Sequence, residues 1–423
     1  MMAMSGRELV VYRERLGRFE EVGFVGASEV ALTFSYSDSY RRNDSAQSIS
    51  HALPLGAGEL PPSAVKSFFD GLLPEGSMRR VLSASFHTSE DDLHELISRL
   101  NDESAGALVF KVAGEDPAWG RGYEPMGDSD FERFAAFPRE FAPHAAVRSR
   151  LSLAGAQMKV GLHFDAATGA WQYPKGAAPS SHIVKACDGS FPLQTINEAV
   201  CMATAARLGF DAAECRLIPI DGSDPLLAVK RFDRIDVGSE FFHRLHQEDF
   251  FQALPKFGDK YEPTDGNYAN NCAKLINEES ANPFGDRAML FSRLVFDWAV
   301  GNADNHLKNH SMLWSDDWSR KSLAPLYDVT STTVYPEVDR EMGVSFGGSR
   351  RVDQVTQSEV AATAKACGVG EKRGLMELDE TIEEFPVALQ ASVEAICDQG
   401  FELAEEMGDR IKKDFLKRRE LMA

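Results

Sequence analysis

The stretch that decides the fold runs from Phe291 to Thr330. It opens with Phe291-Ser-Arg-Leu-Val-Phe-Asp-Trp-Ala-Val300, a largely apolar run that predicts a helix stopped by Gly301. The polar loop Asn302-Ala-Asp-Asn-His-Leu-Lys-Asn309 follows at once. The candidate catalytic residues begin in this loop.

The residues after the helix have the spacing of a kinase catalytic segment. Asp304 and Asn309 are five positions apart, as in the H-R-D-x-x-x-x-N loop, where Asp receives a hydroxyl proton and Asn binds magnesium. His310–Trp314 and Leu323–Leu326 predict a hairpin, and Asp328 follows it as a second magnesium ligand would. Phosphoryl transfer gathers negative charge, so hard oxygen ligands must hold a divalent metal there. Alone, each of these residues is also an ordinary turn residue.

A lysine and a glutamate upstream complete the pattern. Ser181-His-Ile-Val-Lys185 predicts a strand ending in lysine, like the V-A-I-K motif. Glu198 lies early in a predicted helix, Thr195–Leu208, where it can pair with Lys185 or act only as a first-turn acid favoured by the helix dipole.

Two further segments are candidates for nucleotide contacts. Ser152-Leu-Ala-Gly-Ala-Gln157 is rich in small residues, so its backbone amides can approach phosphate, although it is not a Walker A loop. Leu227-Ala-Val-Lys-Arg-Phe-Asp233 predicts a strand placed where a hinge between lobes should present its backbone to adenine.

Composition bounds the class of protein. The chain has 423 residues, 43% of them hydrophobic and 26% charged, which predicts a soluble globular protein of two or three domains. The net charge of −20 disfavours direct contact with DNA or anionic lipid. We find no signal peptide and no apolar stretch long enough to span a bilayer, and the six cysteines are scattered. We therefore expect a cytoplasmic protein without a membrane partner.

The order of predicted elements indicates an α+β fold. Residues 1–115 read as a small α+β domain, and residues 116–150 as a linker and packing segment. Residues 151–246 read as a β-rich ATP-binding lobe, and residues 247–423 as a mainly helical catalytic lobe. Clefts between two lobes are favoured ligand sites.

The sequence resembles the HipA family of bacterial serine/threonine kinase toxins from about residue 8 to about residue 410. Several motifs carry the resemblance, in this order: Phe68-Phe-Asp-Gly-Leu-Leu-Pro-Glu75, Glu103-Ser-Ala-Gly-Ala, Ser152-Leu-Ala-Gly-Ala-Gln-Met-Lys159, Pro174-Lys-Gly, His182-Ile-Val-Lys185, Arg231-Phe-Asp-Arg234, Gln247-Glu-Asp249, Asp304-Asn-His-Leu-Lys-Asn309 and Tyr327-Asp328. The implied fold is a small N-terminal α+β domain joined to a bilobal core similar to phosphoinositide-type kinases.

The resemblance also implies roles for individual residues. Asp304 would be the catalytic base, with Lys185 on the ATP phosphates, Asn309 and Asp328 on Mg²⁺, and Glu198 as the partner of Lys185. The residues implied to contact ATP are Ser152, Ala154, Gly155, Ala156, Gln157, Lys185, Lys230, Phe232, Asp233, His306 and Lys308.

The family's biology sets further expectations. Ser152 matches the serine at which members phosphorylate and inactivate themselves. Members phosphorylate a serine of an aminoacyl-tRNA synthetase, and they pair with HipB, a helix-turn-helix antitoxin that binds operator DNA. An acidic chain is expected to meet DNA only through such a partner.

Three positions depart from the family pattern, and other functions stay open. Lys230 stands where the family often has Glu, Met158 replaces a common acidic residue, and Asn305 replaces a common Gly. None of these removes a catalytic group. The alternatives are a weak kinase fold acting as an antitoxin-bound co-repressor, a small-molecule or lipid kinase, and a metal hydrolase built on Asp304, His306 and Asp328. Zinc at His306 and His310 lacks the Glu of H-E-x-x-H.

Overall fold

The computed structural model describes residues 8–27, 31–100, 102–151, 153–155, 157–189, 191–255, 259–263 and 266–422. The chain divides into two compact units. Unit 1 takes three segments: Met1–Asp188, Ile218–Lys256 and Leu313–Arg320. Unit 2 takes the other three: Gly189–Leu217, Phe257–Met312 and Lys321–Ala423.

The N-terminal part of unit 1 is an antiparallel sheet with helices packed on it. Its strand order is β3-β2-β1-β4. Phe69 packs its ring 5.6 Å from Phe34 and 5.9 Å from Phe110, and this apolar contact holds a helix on the sheet. The strands are β1 (Leu9–Arg15), β2 (Arg18–Ala27), β3 (Leu32–Tyr36) and β4 (Leu108–Val112). The helices are α1 (Asp38–Arg41), α2 (Pro62–Asp70), α3 (Gly76–Phe86) and α4 (Leu93–Arg99).

The segment expected to be a linker is largely regular structure. It forms a strand, β5 (Gly122–Pro125), and two helices, α5 (Asp128–Ala136) and α6 (Pro138–Ser149). β5 pairs antiparallel with β7 (Ala170–Lys175), so the predicted linker supplies an edge strand to the next sheet. Proline and glycine signal a turn in the sequence, but an edge strand tolerates both.

The second sheet of unit 1 positions the predicted ATP lysine. Its strands in this unit follow the order β5-β7-β6-β8-β10. Lys185 ends β8 and lies opposite Lys159 on one side and Leu227 on the other. The remaining strands and helix of the unit are β6 (Lys159–Asp165), β8 (His182–Lys185), β10 (Leu226–Lys230), β11 (Arg234–Ile235), β12 (His243–Arg244), β13 (Gln247–Asp249) and α8 (Phe250–Ala253).

Unit 2 is mainly helical. α10 (Pro283–Val300) ends where the sequence predicts, because Gly301 adopts a left-handed φ of +77° and caps it. The rings of Phe385 and Phe415 lie 4.8 Å apart in its core, close to Trp298. The other helices are α7 (Gln194–Arg207), α9 (Tyr268–Glu279), α11 (Gln357–Ala366), α12 (Glu371–Cys397) and α13 (Leu403–Met422).

Short strands and 3₁₀ turns complete unit 2. One of these strands, Glu341–Phe346, bonds to the loop after α10, which is the predicted catalytic loop. The strands are β15 (Lys321–Leu323), β16 (Glu341–Phe346) and β17 (Ser349–Arg351), and β9 (Cys215–Ile218) and β14 (Ser311–Trp314) run across the division between the units. The 3₁₀ turns are Leu307–Asn309, Thr332–Val334 and Val352–Gln354. In the described part of the chain, every helix is too short or too polar to cross a membrane.

Candidate active site

Hydrogen bonds within the loop after α10 hold the backbone of Asp304. The Asp304 N–H donates to Asn302 Oδ1 at 3.1 Å. The Asp304 carbonyl accepts from the His306 N–H at 2.9 Å and from Asn309 Nδ2 at 2.7 Å. The side chain of Asp304 itself is half exposed. The loop therefore fixes the backbone of Asp304 while leaving its carboxylate accessible.

The C-terminal turn of α10 is hydrogen-bonded to this loop. Asn302 Nδ2 donates to Asp297 Oδ1 at 2.8 Å, so the last turn of the helix is tied to the first residue of the loop. Asp297 is buried, and burial raises the pKa of its carboxyl to about 7, against hydrogen bonds from Asn302 and Asn305 that lower it.

Strand β16 holds the loop from the side. Asn305 Oδ1 accepts from the Val344 N–H at 3.0 Å, and the Gly343 N–H donates to the Ala303 carbonyl at 2.9 Å. A Cβ at Gly343 would lie 2.6 Å from the backbone of His306, so the close approach requires glycine. Asn305, where the family often has Gly, here pairs with the strand.

Tyr327 connects the two segments that carry the predicted metal ligands. Its hydroxyl donates to the Lys308 carbonyl at 2.8 Å and contacts Ser311 Oγ at 2.5 Å. Asp328 is the next residue, so the segment carrying it is tied to the loop that carries Asn309. Asp328 has a φ of +59°, a conformation that costs energy for most residues and is common at functional sites.

A hydrogen bond to the Asp304 carbonyl orients the side chain of Asn309. Because its Nδ2 donates to the Asp304 carbonyl, its Oδ1 is the atom left to coordinate a cation. Within the described residues, no group of three His, Cys, Asp or Glu side chains is arranged to hold a metal. Coordination of Mg²⁺ by Asn309 and Asp328 stays a prediction.

Two aromatic residues surround the Asp304 carboxylate. The Tyr261 hydroxyl donates to Asp304 Oδ1 at 2.6 Å. His306 is buried, with its Nε2 3.8 Å from the same oxygen and its ring 5.1 Å from that of Tyr261 in an edge contact. The family resemblance implies a nucleotide contact for His306, whereas no sequence pattern singles out Tyr261.

The predicted phosphate loop is anchored to the N-terminal part of unit 1. The Glu75 N–H donates to the Gly155 carbonyl at 3.1 Å, and Pro74 forms a bridge with Gly155. Gly155 has a φ of +100°, which favours glycine. Gln157 Nε2 is buried without a hydrogen-bond partner among the described residues, which suits a donor awaiting phosphate oxygen.

The other nucleotide residues lie in different parts of the fold. Ser152 and Ala156 lie outside the described residues. Ala154 is partly exposed beside Gly155, and Lys308 is partly exposed in the catalytic loop. Lys185, in unit 1, is buried at the end of β8. Glu198, in unit 2, is buried in α7, and its pairing with Lys185 stays a prediction.

Asp233 is engaged inside unit 1. Its carboxylate accepts from Arg231, from the Gly106 N–H at 2.8 Å and from Gln247 Nε2 at 2.9 Å, and it is almost fully buried. Burial raises the pKa of this carboxyl, but Arg231 and Arg234 outweigh it and hold the pKa far below its usual range. Asp233 is thus engaged by side chains of unit 1, and its contact with ATP stays a prediction.

Lys230 and Phe232 remain in reach of solvent on this segment. Lys230 is exposed at the end of β10, and Phe232 is partly exposed. Between them, Arg231 is almost fully buried, with its guanidinium turned into the protein. Exposed and buried side chains alternate along residues 230–233, and the nucleotide contacts of Lys230 and Phe232 stay predictions.

Glu103 is the centre of the buried ion network to which Asp233 belongs. Its Oε1 accepts from Arg231 and Arg234, each at 2.9 Å, and its Oε2 accepts from Arg244. Burial raises its pKa, but the three arginines outweigh burial and bring it to about 2. The network ties the N-terminal part of unit 1 to the segment after β10.

Family models and similar proteins identify the family of this chain. The family model described as HipA-like C-terminal domain matches residues 151–390, and the one described as HipA N-terminal domain matches residues 12–111. The protein named "Putative kinase Y4mE" from Sinorhizobium fredii is 33% identical over 348 residues, covering 80% of this chain and 81% of that protein. "Serine/threonine-protein kinase toxin HipA" from Shewanella oneidensis is 24% identical over 385 residues, covering 87% and 86%.

A solved structure gives the same fold. It is the complex of HipA, HipB and operator DNA from Shewanella oneidensis MR-1, whose matching chain has a TM-score of 0.80 at 20% identity and 97% coverage of both chains. The fold and these relatives define a kinase. More particularly, the chain belongs to the HipA family. The expected α+β fold of HipA type is confirmed.

Proposed function

We propose that this kinase transfers the γ-phosphoryl group of ATP, with Mg²⁺, to a serine hydroxyl of a protein substrate. One observation carries the proposal: Asp304, Asn309 and the segment of Asp328 are joined by the Asn309 side chain and the Tyr327 hydroxyl. ATP supplies the phosphoryl group, and Mg²⁺ offsets the charge that develops on it.

Asp304 would act as the general base. Its exposed carboxylate accepts the proton of the substrate hydroxyl as that oxygen bonds to phosphorus, and ADP leaves with the electron pair of the broken bond. Asn309 Oδ1 and Asp328 would hold Mg²⁺, and Lys185 and Gln157 would bind phosphate oxygens. The unpartnered Gln157 Nε2 and the positive φ of Gly155 support a phosphate-binding role for that loop.

Family membership supports a proposal for the substrate and for the partner. We propose a protein of translation as substrate, with an aminoacyl-tRNA synthetase as the first candidate, and a HipB-like helix-turn-helix protein as antitoxin. The solved relative was crystallised with HipB and operator DNA, and the net charge of −20 on this chain favours DNA contact through a basic partner. The expected location is the cytoplasm.

Self-inactivation at Ser152 is part of the proposal. A phosphoserine adds about −1.5 to −2 charge, which would repel ATP phosphates and displace the loop. A Ser152→Asp variant is expected to bind ATP more weakly than Ser152→Ala. Equal ATP affinity of the two variants would contradict this switch.

Peptide mass spectrometry tests the catalytic proposal. The purified chain is incubated with Mg²⁺ and ATP, alone and with a panel of aminoacyl-tRNA synthetases, beside an Asp304→Asn control. We expect phosphate on Ser152 and on a serine of one synthetase, and none with the control. Phosphate that appears equally with Asp304→Asn would refute Asp304 as the base.

A further inference from the structure

The Asp304 carboxylate is held on one side only. Tyr261 donates its hydroxyl proton to Oδ1 at 2.6 Å. Oδ2 accepts no hydrogen bond from any residue that the structure describes, and the side chain is half exposed. One oxygen is thus engaged by the protein, and the other is left for an incoming group.

Tyr261 is fixed by its neighbours in the chain. The Lys260 carbonyl accepts from the Leu307 N–H at 3.1 Å, and the Glu262 N–H donates to the Gly343 carbonyl at 3.0 Å. These bonds attach the residues before and after Tyr261 to the catalytic loop and to β16. The hydroxyl therefore has a set position relative to Asp304.

Glu262 strengthens this attachment. Its Oε2 accepts from the Ser345 N–H at 2.7 Å, and its Oε1 accepts from the Tyr268 N–H at 3.0 Å. The side chain of Glu262 is almost fully buried. The segment around Tyr261 is therefore hydrogen-bonded to β16 and to α9 of unit 2.

We propose that Tyr261 is a positioning residue for the catalytic carboxylate, an inference that rests on the proposed role of Asp304 as base. The hydrogen bond to Oδ1 selects one rotamer of Asp304 and turns Oδ2 toward the substrate hydroxyl. A hydrogen bond from a neutral hydroxyl to a carboxylate is charge-assisted and short, as seen here. Misplacement of a reacting group by about 1 Å can cost a hundredfold in rate.

Tyr261→Phe removes the hydroxyl and keeps the ring against His306. We expect kcat for phosphoryl transfer from MgATP to the hydroxyl of the chain's own Ser152, followed as the initial release of ADP, to fall about tenfold to a hundredfold. The KM for ATP and the melting temperature should stay near their wild-type values, because Tyr261 acts through Asp304. A merely structural role would lower the melting temperature and leave kcat for the folded enzyme unchanged.

Tyr40→Phe is a matched control in unit 1. The Tyr40 hydroxyl donates to the Gln47 carbonyl at 2.9 Å, so this variant also loses one hydroxyl hydrogen bond, but it leaves Asp304 and the segment that carries Tyr261 unchanged. It is expected to keep the wild-type kcat. Equal losses of kcat in both variants would overturn the inference.

Three outcomes test this inference and separate it from the proposed function. If Asp304→Asn is inactive while Tyr261→Phe turns over at the wild-type rate, the positioning role is wrong and the base stands. A faster Tyr261→Phe also overturns the inference, because the hydroxyl would then occupy the place of the substrate. If Asp304→Asn keeps wild-type turnover, both proposals fail.

Discussion

Replacing Glu103 by Gln should destabilise unit 1 strongly. The substitution keeps the shape of the side chain but removes the negative charge that faces Arg231, Arg234 and Arg244. Removing one partner from a buried ion pair leaves uncompensated charge and typically costs about 3–5 kcal/mol. The fall in the pKa of Glu103 from 4.5 to about 2 gives a similar figure, about 3 kcal/mol at 1.36 kcal/mol per pKa unit.

The pH dependence has a definite sign. A carboxyl whose pKa is lowered by folding stabilises the protein above its unfolded pKa, and this stabilisation is lost as the pH falls through the folded pKa. The difference between wild type and Glu103→Gln should therefore be complete at pH 7. It should shrink progressively below about pH 4.

Calorimetric melting at pH 7 measures the effect. A loss of about 3 kcal/mol corresponds to a fall of roughly 6–12 °C in the melting temperature of a unit of this size. Glu124→Gln is the control, since Glu124 also forms two ion pairs in unit 1, with Arg148 and Lys175, but in solvent. It should melt close to wild type. A Glu103→Gln protein that melts like Glu124→Gln would refute the reasoning.

Three further predictions concern the site. Asn309→Ala should raise the Mg²⁺ concentration for half-maximal ADP release at least about tenfold, since an oxygen ligand is lost. Folding raises the pKa of Asp297 from 3.8 to about 7, so the melting temperature of wild type should fall as the pH rises toward 7. The melting temperature of Asp297→Asn, measured from pH 5 to 8, should not show this decrease. Gly155→Ala should weaken ATP binding by calorimetry, because a φ of +100° strains any other residue in the predicted phosphate loop. Gly169→Ala is the control, since it places the same strain, at a φ of +73°, in a turn outside that loop, and it should leave ATP binding unchanged.

Local patterns predicted the elements that carry chemistry. Hydrophobic periodicity or a characteristic terminal residue predicts three of them: the helix before Gly301, the strand that ends at Lys185 and the helix that contains Glu198. Both signals depend only on residues close together in the sequence. The Asp304 to Asn309 spacing belongs to this class, because both residues lie on one short loop. α3 was missed because it begins at Gly76 and buries few apolar residues.

Contacts between distant residues could not be predicted in this way. Glu103 meets Arg244, 141 residues later, and Tyr261 meets Asp304, 43 residues later. Nothing in the local pattern distinguishes these side chains from solvated ones, since only the completed fold brings them together. The same reason explains Asp233, which follows the predicted hinge strand but turns inward to its arginines.

Paired measurements of ATP binding and ADP release test the central claim most directly. Wild type and Asp304→Asn are compared at pH 7 with saturating Mg²⁺. Calorimetry measures their affinity for a non-hydrolysable ATP analogue, and a coupled assay with ATP measures the initial release of ADP as the phosphoryl group passes to Ser152. We expect both proteins to bind the nucleotide with similar affinity and only wild type to release ADP at an appreciable rate. ADP release by Asp304→Asn at the wild-type rate, or no binding of ATP by wild type, would contradict it.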